Sequence, residues 1–290
     1  MRKELYNDSI GYVELLDFSR ANMSEENRIN YIQQVASICY KAPAKTFDTE
    51  TGKGRVIYDR LYKESLGLPS SSFELCPILL STEQHLEVEL LTIDKDTTRH
   101  TVATAKYGEW IEDGKYLLTN LRALLADVGE DADKFFNTSE EEIAIIKKHF
   151  KVFKSKIPVF TARQFMRHRC SWQELSRRYV SGSKYPLEVY TSPKLKNADF
   201  CDEEGDYPTT LEEIYLAQLM YYNDAVEQGV KPQDARQVLP QSMYTEMYSA
   251  WYPSQLKSML DLRTQEKTQE EFRELATAMK ELVKEGVSNN

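Results

Sequence analysis

The segment Ile157–Val180, IPVFTARQFMRHRCSWQELSRRYV, governs how the rest of the chain is read. Its first four residues, Ile157-Pro158-Val159-Phe160, are apolar and rich in β-branched side chains, the composition of the end of a buried strand. Thr161 and Gln164 then stand at capping-box spacing, which predicts a helix carrying Arg163, Gln164, Arg167, His168 and Arg169. Ser171 and Glu174 repeat the spacing, so a second helix start is expected after a break near Cys170. From Arg163 to Arg178 there are five arginines and one acid, in a chain whose net charge is −9. A solvated basic face is the simplest reading of such a run. Yet these arginines share no single helical stripe, and Phe165, Met166, Trp172, Leu175 and Tyr179 are interleaved with them. Arginine is suited to bidentate contact with phosphate, and a helix start aims backbone N–H groups at an anion. The segment therefore predicts a partly buried, electropositive pocket for a phosphorylated ligand. Glu174 within it implies a second, neutral ligand part with hydrogen-bond donors, such as a base edge.

Working outward, 290 residues with 41% hydrophobic composition can bury one large core, and a single domain over 1–290 is expected, with an elaboration at about 98–148. The longest apolar runs, such as Cys76–Leu80, are too short to span a membrane, and Met1-Arg2-Lys3-Glu4 leads into no signal-peptide core. A soluble, cytoplasmic protein without membrane contact is the expectation. Cys39, Cys76, Cys170 and Cys201 have neither metal-ligand nor redox spacing, which predicts reduced thiols and no metal. The acidic balance argues against broad nucleic-acid binding, so anionic small molecules must enter a focused site.

Periodicity predicts helices over Ser24–Tyr40, Val56–Leu66, Leu117–Leu125, Ser139–His149, Leu211–Gln228 (closed by Gly229), Ser242–Trp251, Ser254–Thr264 and Glu270–Glu285. Pro232 opens a short helix that carries Arg236 and stops at Pro240. Strands are expected at His85–Ile93 and Lys151–Phe160, a hairpin turn at Glu112-Asp113-Gly114-Lys115, and loops at Ala42–Gly54, Gly129–Asp133 and Asn197–Tyr207. Tyr185–Pro193 reads as extended. Ser70–Glu74 is either a helix start or a ligand loop. Together these describe an α+β fold with an antiparallel-type central sheet and a helix-rich C-terminal half.

The runs Arg163-Gln164-Phe165-Met166-Arg167-His168-Arg169 and Gln173-Glu174-Leu175-Ser176-Arg177-Arg178-Tyr179 resemble the signature of the flavin-dependent thymidylate synthases. The resemblance covers about the second half of the chain and returns in Asp234–Pro240 and in Asp261-Leu262-Arg263. It implies a thymidylate synthase-complementing-protein-like fold and an FAD cofactor, with methylenetetrahydrofolate and NADPH as co-substrates. The implied reaction is methylation of deoxyuridine monophosphate (dUMP) at C5. It further implies a homotetramer whose active sites are shared between subunits. By residue-for-residue transfer, Gln164, Glu174, Ser176, Arg178, Arg236 and Arg263 contact dUMP, and Arg167, His168 and Arg169 lie against the flavin. Arg167, His168, Glu174, Ser176 and Arg263 are the implied catalytic set. His168, between two arginines, is expected to be neutral.

The chain departs from that pattern in places. Six residues, Cys170–Leu175, separate the Arg-His-Arg triplet from Ser176, where the family has seven. Tyr252-Pro253-Ser254 and Ser258 stand where the family places flavin-holding Asn and Arg residues, and Lys267 stands where a histidine is common. Ser70–Glu74, or alternatively Glu83 with His85, would supply a further flavin-contacting segment. These departures keep other readings open. One is altered chemistry on a pyrimidine nucleotide, such as hydroxymethyl transfer. Another is a Cys170 thiolate, favoured by Arg169, adding to the ring. The third is a non-catalytic nucleotide-binding homologue.

Overall fold

The computed structural model describes residues 1–40, 53–63, 70–95, 101–196 and 210–288. The Ala42–Gly54 loop falls largely outside these residues, and Leu66, Cys201, the Asn197–Tyr207 loop and the first residues of the 98–148 elaboration fall wholly outside them.

In chain order, strands β1 (Arg2–Glu4) and β2 (Tyr12–Leu16) precede helices α1 (Glu25–Tyr40) and α2 (Lys53–Lys63). A 3₁₀ turn, Ser71–Leu75, is capped by Ser70 and leads into β3 (Pro77–Ser81) and α3 (Thr82–Lys95). Then come α4 (Ala103–Lys106), β4 (Glu109–Ile111), β5 (Tyr116–Asn120), α5 (Leu121–Val128) and α6 (Glu140–His149). The second half holds β6 (Lys151–Pro158), α7 (Val159–Phe165), β7 (Ser171–Glu174), α8 (Leu211–Glu227) and α9 (Pro232–Ala235). It ends with β8 (Tyr244–Trp251), α10 (Pro253–Arg263) and α11 (Glu270–Ser288).

Five strands form one antiparallel sheet in the order β1-β2-β6-β8-β7, and three form a second in the order β3-β5-β4. The fold is α+β with an antiparallel central sheet, as the sequence predicts. Strand β8 replaces the helix expected at Ser242–Trp251. All eight of its residues are buried, because helices cover one face of the sheet and the second sheet the other. With both faces covered, the polar alternation that marks a half-exposed strand is missing. Met247 and Trp251 pack with Phe272, Leu275, Met279 and Leu282 of α11, while Tyr248 and Ala250 join Leu79 and Leu118 of the smaller sheet.

His85–Ile93 is helical, within α3, where a strand is expected. His85, Val88 and Thr92 are buried at helical spacing, whereas Leu86, Leu90 and Ile93 stay exposed. The predicted helix over Leu117–Leu125 divides, since Leu117–Asn120 completes a strand and Asn120 caps α5 through Ala123 N. The Glu112–Gly114 turn joins β4 to β5 with positive φ at all three residues, as the Asp-Gly pair predicts. Helix α6 opens with a Ser139/Glu142 capping box and α8 with Thr210/Glu213. Gly229, at φ 90°, follows α8 in the left-handed conformation that ends helices.

Candidate functional site

Strand β6 delivers the chain to Pro158, which caps α7 three residues before the predicted cap at Thr161. Thr161 is therefore buried in the helix interior and caps nothing. Helix α7 stops at Phe165, and the backbone turns through Arg167 N to Gln164 O (3.3 Å) and His168 N to Phe165 O (3.1 Å). Arg167, His168 and Arg169 thus sit on a tight turn rather than on a helix. The second predicted helix start is strand β7, whose residues Ser171–Glu174 pair with Ala250–Met247 of β8. A free edge of β8 offers that segment sheet hydrogen bonds, and these override its local capping pattern. The missing residue after the triplet is therefore taken up in a turn and a strand, where it causes no helical rotation.

This geometry separates the five arginines. Arg163, at the end of α7, and Arg236, beyond α9, line one cleft of about 930 Å³ with Glu174, Ser176, Thr245 and Cys39. Glu174 is half-buried there. Burial pushes its carboxyl above the ordinary value, against the opposing pull of the Thr245 hydroxyl and of Arg163 and Arg236. Arg177 lines the same cleft but is buried, and its guanidinium donates to the Tyr185 and Pro186 carbonyls at 3.0 and 2.9 Å. It braces the extended 185–190 segment.

Other predicted residues lie apart from this cleft. Gln164 donates to Gln269. The Arg178 Nε donates to Gln233 at 3.2 Å, and its guanidinium covers Tyr179. The Arg263 Nε donates to His168 Nε2 at 2.8 Å and stacks on Phe272. An imidazole nitrogen that accepts must be unprotonated. In agreement, burial first and the Arg263 charge second hold His168 below its ordinary value. Both the contact and the direction of the shift favour the neutral His168 expected from sequence, though through burial and Arg263 and not through the flanking arginines.

A second cleft, of about 860 Å³, adjoins the first and shares Glu74, Cys170 and Ser171 with it. Arg169, Tyr252, Ser254 and Gln255 face residues of the 101–126 region, including Lys106, Tyr107, Glu109 and Arg122. The departures at Tyr252 and Ser254 have partners in that region. Asn120 Nδ2 donates to the Tyr252 hydroxyl at 3.0 Å, and Ser254 N and Oγ donate to the Glu109 carboxylate at 3.0 and 2.6 Å. Glu74 is ion-paired with Arg122. Of the two candidate segments left open by sequence, Ser70–Glu74 is the one at the clefts. His85 lies beside Glu89 and Trp110 on α3 instead.

The surroundings of Cys170 work against the thiolate reading. Burial, with Glu74 nearby, pushes that thiol up to about 12, and the adjacent Arg169 does not offset it. Cys39 is pushed up to about 11 in the same way. The sequence reading missed Arg163, Cys39 and Thr245 as lining residues. Arg163 was visible in the signature, but Cys39 and Thr245 arrive from distant elements and carry no local signal. Among the described residues, no group of three or more His, Cys, Asp or Glu side chains is placed to hold a metal ion.

The family model described as thymidylate synthase complementing protein matches residues 144–287. The chain is 34% identical to the flavin-dependent thymidylate synthase of Aquifex aeolicus over 145 residues, covering 46% of this chain and 45% of that protein. It is also 34% identical to a Thermus thermophilus protein of the same name over 159 residues, covering 52% of this chain and 56% of that protein. The chain therefore spans about half the length of the curated relatives it matches. The matched segment carries β6, the arginine-bearing turn, β7, β8 and α10, which supply most of the first cleft's lining and one wall of the second. On this match, taken with the ordered signature blocks, the chain belongs through residues 144–287 to the thymidylate synthase complementing protein family.

Proposed function

We propose that this protein is a flavin-dependent thymidylate synthase that methylates dUMP at C5. Methylenetetrahydrofolate is the one-carbon donor, FAD the cofactor and NADPH the reductant. One observation carries the reading: Arg163, Glu174, Ser176 and Arg236 converge on one cleft, which opens through Glu74, Cys170 and Ser171 onto a second cleft bearing Arg169. The first suits a nucleoside monophosphate. Arg163 and Arg236 provide charge for the phosphate, Ser176 a hydroxyl, and Glu174 a carboxyl that meets the N3–H edge of a pyrimidine.

The residues of the second cleft fit a flavin. The space is large, Tyr107 is an exposed aromatic, and Lys106 and Arg169 are exposed cations. When bound, the flavin supplies the hydride and relays the one-carbon unit. The protein's part is electrostatic. Arg263, hydrogen-bonded to His168, lies beside Arg167, and together they supply positive charge that would stabilise negative charge developing on a uracil ring in a neighbouring subunit's cleft. Arg178 and Arg263 stand outside the nucleotide cleft of their own chain, which supports a homotetramer with shared active sites. The substrates are small molecules, and the setting is cytoplasmic.

The purified protein incubated with dUMP, methylenetetrahydrofolate, FAD and NADPH is expected to yield the 5-methyl nucleotide by mass analysis; unchanged dUMP sinks the proposal. A second reading is favoured by Glu109 at the start of α10, where the family holds flavin. In that reading the enzyme carries out altered chemistry on a pyrimidine nucleotide, and the same mass analysis would return a hydroxymethyl product.

A further inference from the structure

We propose that Lys106, with Arg169, clamps the diphosphate of the flavin dinucleotide in the second cleft. This seat is built from the 101–126 region, away from the α10 N-terminus. The inference rests on the flavin reading above.

Five charged side chains line that cleft: Glu74, Lys106, Glu109, Arg122 and Arg169. Both acids already have partners. Glu74 pairs with Arg122, and Glu109 accepts from Ser254 N and Oγ at the first turn of α10. Lys106 and Arg169 form no ion pair with any described residue, and the Lys106 ammonium lies 5.3 Å from the Tyr107 ring centroid. Lys106 and Arg169 therefore stand against the single carboxylate of Glu109 in one concavity, a net positive lining in a chain of net charge −9, and a concave wall focuses that potential on whatever enters. A diphosphate supplies the matching negative charge.

The α10 N-terminus would otherwise attract an anion, but the Glu109 carboxylate already sits there and repels a second one. Lys106, in contrast, projects from an anchored turn. Ala103 N and Thr104 N each donate to the Asp127 carboxylate at 2.8 Å, fixing the start of α4. Gly108 lets the chain turn back directly beneath, since a Cβ there would come within 2.6 Å of Thr104 O and 2.9 Å of Leu118 O. Exposed Tyr107, between Lys106 and Gly108, offers a ring face to the aromatic part of the same ligand.

The test is titration of the purified full chain with FAD and with riboflavin, read by flavin fluorescence, for wild type, Lys106→Ala and Lys106→Arg. Lys106 is exposed, and thermal unfolding of each variant checks that the fold is retained. Wild type is expected to bind FAD at least about tenfold more tightly than riboflavin. Lys106→Ala should weaken FAD by about tenfold and leave riboflavin unchanged, while Lys106→Arg keeps the wild-type preference. FAD binding by wild type that is unaltered in Lys106→Ala overturns the clamp but leaves the flavin reading standing. Equal weakening of FAD and riboflavin overturns it too, because the loss then does not involve the diphosphate. Failure of wild type to bind FAD removes the flavin reading and the clamp together.

Discussion

On the proposed function, Glu174 would couple stability and nucleotide binding at a single carboxyl. Its folded-state value is raised, chiefly by burial, above an ordinary value near 4.5. The folded protein therefore holds that proton more tightly than the unfolded chain does. The resulting stability is present below about pH 4.5 and is lost as pH rises through the folded value. Glu174→Gln should raise the Tm at pH 7, flatten the fall in that window, and weaken dUMP binding. A thermal-unfolding pH series beside a nucleotide titration reads both, and a lower Tm at pH 7 would contradict the sign. Cys170, with its thiol near 12, predicts the opposite behaviour: Cys170→Ala keeps its turnover, whereas a loss of several orders of magnitude would restore the nucleophile. Both residues lie in the quoted segment, so their presence was legible in the sequence. Their charge states were not, because these follow from tertiary burial first and then from Thr245 and Glu74, which arrive from elsewhere in the chain.

At the scale of elements, capping chemistry was readable wherever a helix ends in solvent and unreadable wherever the sheet intervened. Ser139/Glu142 form the capping box of α6. Ser139→Ala should cost about 1 kcal/mol of stability without altering nucleotide affinity. Ser171/Glu174 have the same spacing and form a strand, since β8 offers backbone partners that a free segment lacks. Strand β8 itself was hidden by being buried on both faces. Trp251→Ala, at a fully buried position facing α11, should cost roughly 3–5 kcal/mol by denaturant unfolding. A change below about 1 kcal/mol would mean that the α11 face is not part of the cooperative core.

Across the whole molecule, the two clefts meet at Glu74, Cys170 and Ser171, yet Arg178 and Arg263 are directed elsewhere within one chain. If assembly brings them to a neighbour's cleft, an Arg236→Ala variant, altered within the cleft, and an Arg263→Ala variant, altered on the donated side, each inactive alone, should regain a fraction of wild-type turnover when mixed and reassembled. No recovery at any mixing ratio would place each complete site within a single chain. Sequence by itself determined the α+β class, the helices that end in solvent, the Glu112–Gly114 hairpin and the arginine-rich signature, because these depend on local periodicity and turn chemistry. Only the tertiary structure decided that Arg163 joins Arg236 while Arg177 braces a loop, and that Glu109 and Asn120 meet the altered residues at the start of α10. Those outcomes depend on chain reversal, strand pairing and burial, for Glu109 and Asn120 between residues more than a hundred positions apart, which no local pattern encodes.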